Sequence, residues 1–234
     1  LLQSEHLPQL QTVVVAGEAC SQAIVALWGE HRQLINAYGP TEVTVCASTQ
    51  LCDPAEEIAP PIGKPIANTR LYILDQDCNP VPIGTSGELH IAGLGLARGY
   101  LNRADLSAEK FIPNPFSQIG GERMYKTGDL ARYLADGRIE FLGRIDDQIK
   151  IRGFRIELGE IESQLRRLPG INDAIVVALS DNEGADDQEL RLVAYLTTKS
   201  GYNAAASWAE MKQSLESILP DYMIPSEGVI LPRF

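Results

Sequence analysis

The order of the predicted elements changes twice along the chain, and this constrains the fold more than any other feature. The first 42 residues contain a β-branched strand at 13–16, a helix that Ser21 can cap, and an apolar strand at 34–37. A strand–helix–strand unit of this kind is typical of an α/β layer. Residues 43–143 instead predict short strands separated by turns, which indicates a β-rich module.

Five strands are predicted in that module, with one short helix starting at Ser107: 44–51, 70–74, 87–92, 125–133 and 138–143. Asp136-Gly137, between the last two of them, predicts a hairpin. After Arg144 the pattern predicts four strands, two helices and an acidic loop: 148–152, 174–179, 190–198 and 229–231, then 157–168 and 207–219, then 181–189. We therefore predict an α/β part followed by a smaller α+β part, with a domain boundary near 144–147.

Charge and hydropathy exclude several classes of function. The chain has 234 residues and a net charge of −11, and both parts are acidic, which argues against a nucleic-acid binder. Its apolar runs are far shorter than the roughly 20 residues of a membrane helix. The first residues show neither a signal peptide nor an initiator Met, which indicates a fragment of a cytoplasmic protein with reduced cysteines.

The segment NAYGPTE, at residues 36–42, places chemically useful side chains directly after a predicted strand. Open α/β sheets bind ligands at the carboxyl ends of their strands. Tyr38 is suited to stacking on a purine, Thr41 to donating a hydrogen bond to phosphate, and Glu42 to binding Mg²⁺. A proline-containing turn with ordinary polar caps explains the same residues.

Two further segments are informative. Asp129, in the turn TGD at 127–129, is suited to accepting hydrogen bonds from ribose hydroxyls, although a plain turn residue explains it too. The charged segment 143–162 lies on the predicted boundary, where a hinge motion can be absorbed. A solvated edge strand leading into a capped helix is the alternative.

In this order and spacing, these segments resemble the adenylation domains of nonribosomal peptide synthetases, within the adenylate-forming superfamily. VAGEA at 15–19, GELHIAGLGLARGYL at 87–101 and LPDYMIP at 219–225 carry the same resemblance. The resemblance implies the C-terminal half of such a domain. Residues 1–145 would be the C-terminal part of the large core, and residues 146–234 a small mobile α+β domain.

The resemblance also implies roles for individual residues. Two adenine contacts, an α-phosphate contact, a Mg²⁺ ligand and two ribose contacts are expected: Asn36, Tyr38, Thr41, Glu42, Asp129 and Arg144. Thr41 and Glu42 are the expected catalytic residues. Asp146 is the expected hinge, and Lys150 and Gly153 are expected to face the phosphopantetheine of a carrier protein.

Five small or medium, uncharged residues match positions that line the substrate pocket in this family: Val14, Ala16, Ala37, Val45 and Cys46. Small walls leave a deep apolar slot, which favours an aromatic amino acid such as tyrosine or phenylalanine. The alternative is that these residues belong to the core of a buried strand.

The function implied is that of an AMP-forming ligase. It joins an amino acid to AMP from ATP with Mg²⁺, then transfers it to the phosphopantetheine thiol of a peptidyl carrier protein, with a small helper protein as a further partner. An acyl-CoA synthetase and a non-catalytic module that docks a carrier remain alternatives. The family's upstream phosphate loop, its amino-group Asp and its terminal catalytic Lys find no match in the chain. We therefore expect residues 1–234 on their own to be inactive as an enzyme.

Overall fold

The computed structural model describes residues 7–56, 58–146, 148–151, 153–180, 190–199 and 208–234. The chain forms two compact units, Leu1–Asp146 and Asp147–Phe234. The predicted acidic loop at 181–189 lies outside the described residues, as does the predicted first residue of the last helix, Ser207. In the described part of the chain, no helix combines the length and the apolar character needed to cross a membrane.

The first unit begins with the predicted strand–helix–strand layer. Its sheet has the order β1–β2–β3–β4 and contains these strands: Thr12–Ala16, Gln33–Tyr38, Ser48–Leu51 and Lys64–Pro65. β1 and β2 are parallel, with Ala16 opposite Ala37. The helix between them, α1, is Gln22–Gly29, and the Ser21 hydroxyl accepts a hydrogen bond from the Ile24 N–H at 3.3 Å. This side chain therefore caps the helix as the sequence predicts.

A second sheet of five antiparallel strands, β5 to β9, forms the β-rich module: Thr69–Leu74, Gly87–Gly93, Phe111–Pro113, Arg123–Tyr133 and Ile139–Arg144. The short helix α2, Ala104–Lys110, precedes β7. β8 pairs with three strands, β6, β7 and β9. The mixed α/β fold of this unit agrees with the fold class expected from the sequence.

The predicted strand at 44–51 is wrong in its first half, since β3 begins at Ser48. Thr44 and Val45 have φ angles of 63° and 71°, in the left-handed region that a strand excludes. The main chain folds back here, because the Ala47 N–H donates to the Tyr38 carbonyl at 2.7 Å. The sequence predicts one continuous strand here, but this tertiary hydrogen bond sets the backbone of its first half.

A shared apolar core joins the two sheets of the first unit. Tyr38, Val43 and Ala47, at the carboxyl end of β2, pack in one cluster with Leu89 and Tyr125 of the second sheet. Burial of these side chains supplies the main attraction between the layers. The packing therefore brings the segment after β2 against β6 and β8.

The second unit has its own core. It comprises strands β10 to β14 and helices α3 and α4: Ile149–Ile151, Phe154–Ile156, Ile171–Ser180, Leu190–Thr198 and Glu227–Ile230, then Leu158–Arg167 and Trp208–Glu216. β10 and β11 form a hairpin, and β12–β13–β14 form a three-stranded sheet. Ile161 and Leu165 of α3 are fully buried among residues of that sheet and α4. Each unit therefore buries a separate hydrophobic cluster.

Candidate functional site

The chain turns sharply at Gly39, directly after β2. A Cβ atom at this position would lie 2.7 Å from both the Ala47 nitrogen and the Val45 oxygen, so the turn requires glycine. A single 3-10 turn, Thr41–Val43, follows. It buries Glu42 and leaves Thr41 exposed at the surface.

Glu42 is bound by two tyrosine hydroxyls that come from elsewhere in the first unit. The Tyr100 hydroxyl donates to Glu42 Oε1 at 2.6 Å, and the Tyr125 hydroxyl donates to the same oxygen at 2.8 Å. Glu42 is buried beside the two tyrosines, with little of its surface accessible to solvent. These charge-assisted hydrogen bonds stabilise a buried carboxylate that would otherwise be costly.

Asp129, in the middle of β8, is the centre of a second cluster. Arg144 Nη1 donates to Asp129 Oδ1 at 2.6 Å, and the Tyr38 hydroxyl donates to Oδ2. The Asp129 N–H donates to the Thr127 hydroxyl oxygen at 2.9 Å. Asp129 is therefore a buried carboxylate with a hydrogen-bond donor on each oxygen.

Arg144, the last residue of β9, connects this cluster to the end of the first unit. Its register places it opposite Asp129. The other edge of its guanidinium donates to both carboxylate oxygens of Asp146, each at 2.6 Å. Arg144 thus binds two carboxylates. It makes one hydrogen bond to the buried Asp129 and a bidentate pair of hydrogen bonds to the exposed Asp146.

Burial governs the protonation of Tyr38. It raises the pKa of this hydroxyl well above the ordinary value, and the charge of Asp129 raises it further. The hydroxyl therefore stays protonated at neutral pH and acts as the donor to Asp129.

The structure brings together Tyr38, Asp129, Arg144 and Asp146, four of the expected site residues. Asn36 is buried on β2, and its side-chain amide donates to the Pro61 carbonyl at 3.0 Å.

The expected pocket residues lie on one sheet face and in the turn after it. Val14 is 60% exposed, and Ala16 shares its face of β1 because strand side chains alternate. Ala37 lies beside Ala16 in the register and is buried. Val45 is 72% exposed, whereas burial raises the pKa of the Cys46 thiol, which donates to the Ser48 carbonyl.

Lys150 and Gly153 belong to the second unit. Lys150 is exposed on β10, opposite Arg155 of β11. Gly153 lies in the hairpin turn with a φ of 77°. Arg152, between them, lies outside the described residues.

Sequence reasoning did not assign a role to Tyr100, Tyr125 or Thr127. Tyr100 and Thr127 lie in segments that carry the family resemblance, and Tyr125 lies two residues before one of them, but the partners are remote in sequence. Tyr100 is 58 residues from Glu42, and Tyr125 is 83 residues from it.

The Glu42 carboxylate is suited to binding a cation that is also bound by a phosphorylated ligand. The described residues contain no group of three or more His, Cys, Asp or Glu side chains that could hold a metal ion. A buried carboxylate such as that of Glu42 fits Mg²⁺, which proteins commonly hold by one or two carboxylates together with substrate phosphates and water. Glu42 is therefore chemically suited to Mg²⁺ in the presence of a phosphorylated ligand.

Two family profiles match the chain. That of the AMP-binding enzymes matches residues 2–101, and that of the AMP-binding enzyme C-terminal domain matches residues 160–234. A linear gramicidin synthase polypeptide of Brevibacillus parabrevis is 52% identical over 232 residues, covering 99% of this chain and 3% of that protein. Bacitracin synthase 3 of Bacillus licheniformis is 50% identical over 233 residues, covering 100% of this chain and 4% of that protein.

Among solved structures, similarity extends to NpsA-ThdA, an artificially fused adenylation-PCP di-domain nonribosomal peptide synthetase from Klebsiella oxytoca. The TM-score is 0.77 at 30% identity, covering 97% of this chain and 41% of that one. The chain thus spans a small part of the synthetases and less than half of this di-domain. Both profiles and the fold agree, and the chain belongs to the family of AMP-binding, adenylate-forming enzymes, among the adenylation domains of nonribosomal peptide synthetases.

Proposed function

We propose that the chain is the C-terminal part of a domain that forms an aminoacyl-AMP from an amino acid and ATP. The same domain then passes the aminoacyl group to the phosphopantetheine thiol of a peptidyl carrier protein. The observation that carries this proposal is the buried Asp129 carboxylate beside Tyr38 and Arg144. Family membership and the carrier domain named in the NpsA-ThdA structure support it.

In this proposal Asp129 accepts hydrogen bonds from the ribose hydroxyls, with Arg144 beside the ribose. A carboxylate has two oxygens with several acceptor sites, so it suits a pair of neighbouring hydroxyls. Tyr38 and Asn36 line the adenine site at the carboxyl end of β2, where open α/β sheets bind nucleotides.

Thr41 and Glu42 serve the phosphates. The exposed Thr41 hydroxyl donates to the α-phosphate, and Glu42 holds Mg²⁺ through its carboxylate. When bound, Mg²⁺ neutralises phosphate charge as the amino acid's carboxylate attacks the α-phosphorus and pyrophosphate leaves. The residues of the chain orient the nucleotide for that attack, which is a large part of catalysis by proximity.

The two parts of the chain have different functions in this proposal. Residues 1–145 belong to the core that binds nucleotide and amino acid, and residues 146–234 form the small mobile domain. Asp146 is the hinge about which the small domain rotates after the adenylate has formed. Lys150 and Gly153 face the phosphopantetheine arm after that rotation. We place the reaction in the cytoplasm, with a small helper protein as a further partner.

The substrate is an aromatic amino acid, tyrosine or phenylalanine. The face that carries Val14 and Ala16 is apolar and open, and Ala37 beside it adds no bulk. Burial of an aromatic ring against such walls contributes a few kcal/mol of binding.

The test is amino-acid-dependent ATP–pyrophosphate exchange by the full-length polypeptide that contains these residues. Phenylalanine or tyrosine should give the highest kcat/KM of the amino acids. Ala16→Leu should lower kcat/KM for the aromatic substrate by about tenfold or more while sparing alanine, because the added bulk narrows the slot. Val15→Ile, on the opposite face of β1, is the matched control and should leave the preference unchanged.

A best substrate that is small or charged would contradict the aromatic assignment. Exchange driven by fatty or aryl acids, with formation of a coenzyme A thioester, would favour an acyl-CoA synthetase instead. Absence of exchange with any carboxylic acid would favour a non-catalytic module that docks a carrier.

A further inference from the structure

Two separate segments of the first unit converge on one oxygen atom of Glu42. Tyr100 follows β6, and Tyr125 lies on β8; both donate their hydroxyls to Glu42 Oε1, at 2.6 and 2.8 Å. The two hydroxyl oxygens are 3.2 Å apart. Two donors on the same oxygen restrict the rotation of the carboxylate more than either could alone.

The two phenol rings are themselves fixed. Both pack against Phe111, with ring centroids 5.5 Å away for Tyr100 and 5.1 Å away for Tyr125. Tyr125 is almost completely buried. The hydroxyls therefore point at Glu42 from rings that have little freedom to move.

The main chain around Glu42 is tied to the same region. The Ala97 N–H donates to the Glu42 carbonyl at 2.8 Å. Arg123, two residues before Tyr125, donates to the Ala97 carbonyl at 3.2 Å and to the Arg98 carbonyl at 2.9 Å. Backbone and side chain of Glu42 are thus held by the segments that carry Tyr100 and Tyr125.

We propose that Tyr100 and Tyr125 are positioning residues that fix the Glu42 carboxylate in the orientation that binds the cation of the metal–ATP complex. This inference rests on the proposed role of Glu42 as a metal ligand. The partners that orient a ligating carboxylate influence metal affinity strongly, because they remove the cost of ordering it. Tyr100 and Tyr125 touch neither substrate nor phosphate in this account.

The experiment measures Mn²⁺ binding by electron paramagnetic resonance in the full-length protein, in the presence of a non-hydrolysable ATP analogue. Tyr100→Phe and Tyr125→Phe keep the rings packed on Phe111 and remove one donor each. Each should weaken Mn²⁺ binding by about tenfold, the size expected for one hydrogen bond to a charged acceptor, and the double variant more. The Mg²⁺ concentration for half-maximal pyrophosphate exchange should rise in parallel, with an unchanged KM for the amino acid.

Tyr133→Phe is the matched control. The Tyr133 hydroxyl donates to the Leu71 carbonyl at 2.7 Å on the same sheet, so its loss tests stability without touching Glu42. Its Mn²⁺ affinity should equal that of the unmodified protein, and thermal melting should confirm that all variants fold.

Two results would overturn the inference, and they are distinguishable. If Glu42→Gln weakens Mn²⁺ binding but the Tyr100 and Tyr125 variants behave like Tyr133→Phe, the positioning role is wrong and the metal role of Glu42 stands. If Glu42→Gln itself leaves Mn²⁺ binding unchanged, the proposed metal role fails and the positioning role fails with it.

Discussion

Gly128 and Asp146 enclose the guanidinium of Arg144. Gly128 has a φ of 73°, and a Cβ atom there would lie 2.7 Å from Arg144 Nη2 and 2.9 Å from Asp146 Oδ2. The position thus needs glycine for two reasons, the left-handed backbone and the close approach of a charged pair. The Thr-Gly-Asp turn of the sequence therefore makes room for Arg144 as well as presenting Asp129.

Gly128→Ala should destabilise the protein and weaken ATP binding together. The backbone strain costs about 1 kcal/mol, and the new methyl group displaces the Arg144 side chain from Asp129 or Asp146. Gly121→Ala is the control, since Gly121 has a φ of 80° with nothing within 4 Å of an added Cβ. Denaturant unfolding and calorimetric titration with ATP measure both effects. Equal ATP affinity in the two variants would mean that the placement of Arg144 does not matter for the nucleotide.

At single residues the sequence singled out side chains that the structure brings together, but it did not predict their contacts. The pattern picked out Tyr38, Asp129 and Arg144, and the structure brings them into one hydrogen-bonded cluster. It did not predict that the Tyr38 hydroxyl donates to Asp129, because 91 residues separate the two and no local periodicity reports such a pair. It also gave no reason to connect Tyr100 with Glu42.

At the scale of elements, local signals were reliable where local physics decides the conformation. The hairpin predicted at Asp136-Gly137 is present, with Gly137 at a φ of 81° between β8 and β9. The cap at Ser21 is present as well.

Elements set by tertiary contacts were harder to predict. β7 and β11 have three residues each, too few for a periodic pattern, and both exist because longer or neighbouring strands pair with them. Thr44 and Val45 begin a predicted strand, but the main chain folds back toward β2 there, because the Ala47 N–H donates to the Tyr38 carbonyl. Strand boundaries here follow from packing rather than from propensity.

On the scale of the whole molecule, the chain consists of two units with separate cores. Asp146 ends the first of them, directly beyond Arg144. This position is where a hinge would separate a unit that binds nucleotide from one that serves the carrier thiol.

Asp146→Pro should affect the two half-reactions unequally, because proline fixes φ and restricts the rotation that a hinge needs. We expect carrier loading to fall by about tenfold or more, and adenylate formation to fall less, since the proposed function needs the domain movement only after the adenylate has formed. Asp146→Ala is the control: it also removes the ion pair with Arg144 but leaves φ free. Pyrophosphate exchange and carrier loading are measured side by side. Equal losses in the folded proline variant would show that Asp146 is not a hinge.

The central claim is that Asp129 binds the ribose of ATP, and one comparison tests it directly. Calorimetric titration of the full-length protein is carried out with ATP and with an analogue that lacks both ribose hydroxyls. The unmodified protein should prefer ATP by about 10- to 100-fold, the value of one or two hydrogen bonds to a charged acceptor. Asp129→Ala should bind both nucleotides equally and as weakly as the unmodified protein binds the analogue. A folded Asp129→Ala protein that still prefers ATP by the same factor would contradict the account.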